Sequence, residues 1–212
     1  MDLILFGIQG SGKGTQGKVL KEHFDMAYFE TGAQLRKLAS EESTLGQKVK
    51  EIIEAGHLVP NEIVMEIVED FLSKVPNGKS IIFDGIPRKI VQAESLAKLL
   101  DQNNRKYKAV ILDLSEEEAL NRLTKRRICS DCKEVYPASY KGKNCEKCEG
   151  ELITRTDDNA ESIKVRIEAF INETMPVIKM YEEKGLLIKI NGEQEIDEVT
   201  KELIKTLDKI LK

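Results

Sequence analysis

The run Gly7-Ile8-Gln9-Gly10-Ser11-Gly12-Lys13-Gly14-Thr15 has the composition of a phosphate cradle. Glycines let successive backbone N–H groups converge on anionic oxygens, a helix opening there adds partial positive charge, and Lys13 adds a full one. The P-loop pattern puts Ser or Thr directly after the lysine, whereas Gly14 here stands between Lys13 and Thr15. A dinucleotide-binding turn is the competing reading. It has no use for a lysine at this point and requires an acid at the end of the second strand; Glu30 could be that acid, but Lys13 favours the P-loop.

Asp84-Gly85-Ile86-Pro87-Arg88 is a second charged group behind an apolar run. At the carboxyl edge of a sheet Asp84 would face the same crevice and could steady Mg2+ through its water shell; a helix cap is the plainer use of such an aspartate. The four cysteines form two pairs, Cys129-x2-Cys132 and Cys145-x2-Cys148, with twelve residues between the pairs. That spacing, with a gap a little shorter than the usual range, suits a closed tetrahedral Zn2+ site, with no open position for catalysis, folding a segment too small for its own core; disulfides or free thiols are the plainer readings.

These groups need a scaffold that brings strand ends together. Leu3 to Phe6 is a short apolar run ending at Gly7, and Val19, Leu20 and Phe24 follow at helical spacing. The runs 80–84, 109–114 and 186–190 read as further buried strands, with amphipathic helices between them (Ile63, Val64, Ile67, Val68, Phe71; Leu96, Leu99, Leu100). Alternating elements of this kind predict an α/β fold, a doubly wound parallel sheet of five strands. Residues 31–60 and 128–158 break the rhythm and read as insertions, a small helical one and the cysteine-bearing one. The core is then residues 1–30, 61–127 and 159–212. Residues 163–181 are helical in pattern, with a break expected after Met175 because Pro176 has no donor N–H.

A net charge of -4 argues against a broad basic face for nucleic acid. The start MDLILFGIQG has no basic segment ahead of a long apolar one, and no later run is long enough to span a bilayer, so a cytoplasmic chain with no membrane partner is expected.

Taken in order, GxxGxGKGT, Thr31-Gly32 with Leu35-Arg36, Asp84-Gly85-Ile86-Pro87-Arg88 with Gln92, Arg122, Arg126-Arg127, the cysteine insert, Arg155 with Asp157-Asp158, Arg166 and Ile190-Asn191-Gly192 resemble the adenylate kinase family along the whole chain. Glycine between lysine and threonine is that family's habit. The resemblance implies transfer of the terminal phosphoryl group of Mg-ATP to AMP, with ADP as product. It implies that Gly10, Ser11, Gly12, Lys13, Gly14 and Thr15 hold the ATP phosphates, and that Arg122 and Arg126 clamp them. Val135, Tyr136 and Gln194 would lie near the ATP base and ribose. Thr31, Gly32, Arg36, His57, Leu58, Val59, Gly85, Arg88 and Gln92 would hold AMP, Gln92 reading the adenine edge. Arg155 and Arg166 would bridge the transferring phosphoryl, and Thr15 and Asp84 would serve Mg2+ through water. A monomer is expected. Four positions depart from the family's usual residues: Gln9 for Pro, Ala33 for Asp, Ile86 for Phe, and Gln194 where a Lys can occur. Ala33 removes a carboxylate beside Arg36.

Arginine usage fits. Lysine is the ordinary cation of this chain, and of the arginines all but Arg105 and Arg127 fall on the implied phosphate positions, where a planar guanidinium binds bidentately as lysine cannot. Arg105 and Arg127 are read as solvated or salt-bridged surface arginines. Neither His23 nor His57 sits in a nucleophile–base pattern, and none is needed. Alignment and charge neutralisation suffice for an ionised phosphate nucleophile, behind a lid that excludes water. Alternatives are a UMP or CMP kinase of the same fold, or a P-loop zinc-ribbon protein that binds nucleic acid.

Overall fold

The computed structural model describes residues 1–137, 139–155 and 158–211. The main sheet takes β1 (Asp2–Phe6), β2 (Ala27–Glu30), β3 (Ile81–Asp84) and β4 (Tyr107–Asp113). It is completed, after three short strands β5 (Arg127–Cys129), β6 (Val135–Tyr136) and β7 (Leu152–Ile153), by β8 (Leu187–Asn191). Its order is β2-β3-β1-β4-β8, and every neighbouring pair is parallel. β1 is central because both its faces are apolar. Ile4 and Phe6 point into one core cluster and Leu3 and Leu5 into the other.

Helices α1 (Lys13–His23), α2 (Thr31–Ala39), α3 (Thr44–Glu54), α4 (Asn61–Lys74), α5 (Ile90–Gln102), α6 (Glu116–Lys125), α7 (Ala160–Ala169), α8 (Met175–Glu183) and α9 (Ile196–Leu211) complete the described elements. α1 and α9 cover one face through Leu20, Val199, Leu203 and Leu207. α4, α5 and α8 cover the other through Val64, Val68, Leu96, Leu100, Val177 and Tyr181. The expected doubly wound sheet is therefore present. Its strands agree with the apolar runs to within about two residues, the usual uncertainty of element ends.

The break expected after Met175 lies instead before it. Phe170–Thr174 is a π-helical turn between α7 and α8, and Pro176 sits in the first turn of α8. Proline is tolerated in a first turn, whereas the preceding turn must give up its regular bonding to clear the ring. The wider turn carries Thr174, whose hydroxyl donates to the Arg88 carbonyl at 3.1 Å.

Residues 31–60 carry α2 and α3. The cysteine-bearing stretch, from Arg127, forms a separate antiparallel sheet in the order β6-β5-β7. Its buried cluster is small: Cys129, Tyr136 and Cys145, with Tyr140 and Leu152 against them. Among the described residues no helix is long and apolar enough to cross a membrane.

Candidate active site

The loop after β1 turns through Gly10 and Gly12, whose φ values of 90° and 88° are costly for residues with a side chain. Gly12 caps α1 in that left-handed conformation and offers no side chain to the first helical N–H groups, and the first turn holds no acid. Those donors therefore face the cleft unneutralised, the arrangement that binds an anion. Lys13 folds back over the loop, donating from Nζ to the carbonyls of Gly7 at 2.6 Å and Ile8 at 3.2 Å. Burial in this cradle lowers its pKa to about 8; Asp84 opposes the shift, and Arg88, Arg126 and Arg166 add to it. A cation pressed by other cations is ready for an anionic ligand.

One cleft of about 610 Å3 gathers most of the expected residues. Gly10 to Thr15, Thr31, Gly32, His57, Leu58, Val59, Asp84, Gly85, Arg88, Gln92, Arg122, Arg126, Val135, Tyr136, Arg155, Arg166 and Gln194 all line it. At the end of β3, the Asp84 carbonyl accepts from the Thr31 hydroxyl at 2.9 Å, and Gly85 accepts from Arg88 Nε at 2.9 Å. Gln92, 4% exposed, accepts the Arg88 backbone N–H on Oε1 at 2.8 Å, which leaves its amide nitrogen to meet a ligand acceptor. Arg122 is held by Glu118 at 2.7 Å and by the Gly192 carbonyl at 3.1 Å. The Gln194 amide nitrogen is turned toward Glu202 at 2.7 Å and the Asn191 carbonyl at 3.1 Å, so only its carbonyl oxygen is left for a base.

Arg36 does not line the cleft. Its guanidinium meets Glu30, which does, at 3.0 Å. The carboxylate missing at Ala33 is thus supplied one turn earlier, from the last residue of β2. Of the other departures, Ile86 is a buried core residue, and Gln9 lines the cleft with its Oε1 buried and without a hydrogen-bond partner among the described residues.

Sequence reasoning gave no role to Asp158, yet it organises the arginines. Its carboxylate, fully buried, accepts from Arg126 Nε and Nη2 at 2.8 and 2.7 Å and from Arg166 Nη2 at 2.8 Å. Asp157, its neighbour in the matched pattern, lies outside the described residues. Arg105 and Arg127 do not line the cleft. Arg105 grips Asp2 and the Lys79 carbonyl beneath the sheet, and Arg127 binds the carbonyls of Gly142 and Tyr140.

The four cysteine sulfurs lie within 4.8 Å of one another, with Cys129–Cys148 at 3.4 Å and Cys132–Cys145 at 3.5 Å. Zn–S bonds of about 2.3 Å imply tetrahedron edges of about 3.8 Å, so four thiolates in this arrangement fit zinc. Tyr136 supports them, donating from its hydroxyl to Cys145 Sγ at 3.1 Å. The same segment reaches the core through Glu134, which pairs with Lys18 of α1 at 3.2 Å.

A lysine-bearing glycine loop at the end of the central strand, an acid at the end of the next strand and five arginines around one cleft define a P-loop site for phosphoryl groups. A model of the family described as adenylate kinase matches residues 5–186. Proteins named adenylate kinase from Caldicellulosiruptor bescii, Methanocella arvoryzae and Archaeoglobus fulgidus are 41%, 40% and 39% identical to this chain. These matches cover 98%, 99% and 99% of this chain and 99%, 100% and 99% of the relatives. The chain belongs to the adenylate kinase family, and is a phosphotransferase.

Proposed function

We propose that this chain transfers the terminal phosphoryl group of Mg-ATP to AMP, giving two ADP. The observation that carries the reading is the pairing of two anion sites in one cleft. The P-loop lies at the end of β1, and Thr31, Arg88 and Gln92 lie around the end of β3, with Arg126 and Arg166 tied together on Asp158. ATP phosphates would lie on the N–H groups of residues 10–15 with Lys13 and Arg122. AMP would lie by Thr31, Gly85, Arg88 and the His57–Val59 turn, with Gln92 at the adenine edge. Glu30 would steady Arg36 for the same phosphate.

An AMP phosphate oxygen, largely ionised at neutral pH because the second pKa is about 6, forms a bond to the γ-phosphorus. The bond from that phosphorus to the bridging oxygen breaks, and its electron pair stays on the departing ADP. No side chain need take a proton. Lys13, Arg88, Arg122, Arg126, Arg155 and Arg166 neutralise and align charge, and positioning of this kind is worth roughly 7 to 11 kcal/mol. Magnesium, bound with ATP and approached through water by Asp84 and Thr15, supplies further charge neutralisation.

Among the described residues, those of 31–60 and 128–158 are read as mobile inserts on a core of 1–30, 61–127 and 159–212. Zinc on Cys129, Cys132, Cys145 and Cys148 would supply a rigid crosslink in the lid. Arginines facing both substrates give closure its driving force and exclude water.

The test is diphosphate formation by the purified chain from Mg-ATP with AMP, UMP, CMP or GMP in turn. AMP preferred by tenfold or more is the expected result. Preference for UMP or CMP would overturn the acceptor, and failure of all four would overturn the activity.

A further inference from the structure

Tyr28 does not line the cleft, yet it touches one of its acids from behind. In the parallel register of β2 and β3, Tyr28 pairs with Ile82 and Glu30 with Asp84. The phenol therefore extends along the neighbouring strand on the face covered by α1, and its hydroxyl donates to Asp84 Oδ2 at 2.7 Å. The ring crosses α1 at Gly17. A Cβ at Gly17 would stand 2.7 Å from ring Cε2 and 2.8 Å from the hydroxyl oxygen, closer than real contacts allow. Gly17 lies inside the helix, where alanine would be the better helix former. The side chain missing at position 17 is thus the space the phenol fills.

Asp84 is 6% exposed and ends β3 beside the P-loop. With Oδ2 taken by the phenol, the carboxylate is held in one rotamer and Oδ1 is the oxygen left to accept from a water in an ion's shell. Burial first, and the Asp84 charge second, push the phenol's pKa well above the usual tyrosine range, so it stays a donor.

We propose that Tyr28, seated in the space left by Gly17, is a positioning residue that fixes the Asp84 carboxylate for the water shell of the substrate's divalent cation. This rests on the reading of Asp84 given above. Outer-shell partners of metal sites are worth about 10-fold to 100-fold in affinity, and a contact acting through water belongs at the lower end.

The experiment measures free Mn2+ by electron paramagnetic resonance in the presence of AMP, a non-transferable ATP analogue and the protein, with thermal unfolding alongside. Wild type should bind Mn2+ more tightly than the analogue alone does. Tyr28→Phe should lose about tenfold of that affinity. Gly17→Ala keeps both the phenol and the carboxylate but displaces the ring. It should lose a similar factor although its overpacking lowers the melting temperature by a different amount from Tyr28→Phe, so equal losses at unequal stability separate positioning from damage to the fold. Wild-type Mn2+ affinity in both variants would overturn the inference. So would loss in Tyr28→Phe alone, accompanied by a lower melting temperature. If wild type binds Mn2+ no better than the free analogue does, the reading of Asp84 falls, and the inference with it.

Discussion

Replacing Asp158 by asparagine tests whether one buried carboxylate organises the arginines. The change keeps the shape and one acceptor, and removes the charge that faces Arg126 and Arg166 at 2.7 to 2.8 Å. Removing one member of a buried ion pair costs about 3 to 5 kcal/mol when the remaining charge stays buried. Here the arginine side chains are 17% and 10% exposed and border a cleft into which they can swing, so the lower end applies, about 3 kcal/mol. For a chain of this length that is a fall in melting temperature of about 6 to 12 °C. The kinetic effect should be larger in kind. Arginines that have swung away no longer meet the transferring group in place, and a misplacement of about 1 Å costs about 100-fold in kcat. Differential scanning calorimetry and initial rates with saturating Mg-ATP and AMP read both. A variant within about 2 °C and threefold of wild type would refute the view that Asp158 holds this cluster.

Removing the metal from Cys129, Cys132, Cys145 and Cys148 by a strong chelator should lower the melting temperature. It should also raise amide exchange over residues 127–153 while β1 and β4 stay protected, since that segment has few other buried residues; elemental analysis should find one zinc per chain beforehand. Glu30→Gln should raise the KM for AMP about threefold to fivefold with little change for ATP, the range of a partly exposed ion pair, and Ala33→Asp in the same chain should restore it. Lys13, with a pKa of about 8 in the empty cleft, should regain its proton when phosphates arrive. The sign follows because the complex has the higher pKa. Nucleotide binding then takes up about half a proton at pH 8 and almost none at pH 7, weakens as pH rises above 8, and shows a buffer-dependent enthalpy in titration calorimetry.

Much of this was legible from local pattern. The first strand could be read because Leu3, Ile4, Leu5 and Phe6 are all buried, two on each face of the sheet, and such strands are continuous apolar runs. The glycine loop could be read because it must lie between a strand and a helix, and the cysteine pairs because ligand spacing is a short-range constraint. The contacts that tune the site are long-range and were hidden. Asp158 meets Arg126 across 32 residues, and nothing local separates it from the other acids of a charge-rich chain. Tyr28 and Gly17 belong together through a helix crossing a sheet, and each alone looks like an ordinary strand tyrosine and an ordinary weak helix position. Glu30 reads from sequence as an acid at a strand end, but its pairing with Arg36 depends on how α2 leaves β2. Pro176 marks a break in the helix but not its side, because the ring disturbs the turn before it.

The most direct test of the central claim follows the phosphorus. ATP labelled at the γ position is incubated with AMP, magnesium and the protein, and the products are separated. Label recovered in the ADP made from AMP, with inorganic phosphate near background, is the predicted result. Label released mainly as inorganic phosphate would mean that the cleft admits water as the acceptor, and would contradict the account.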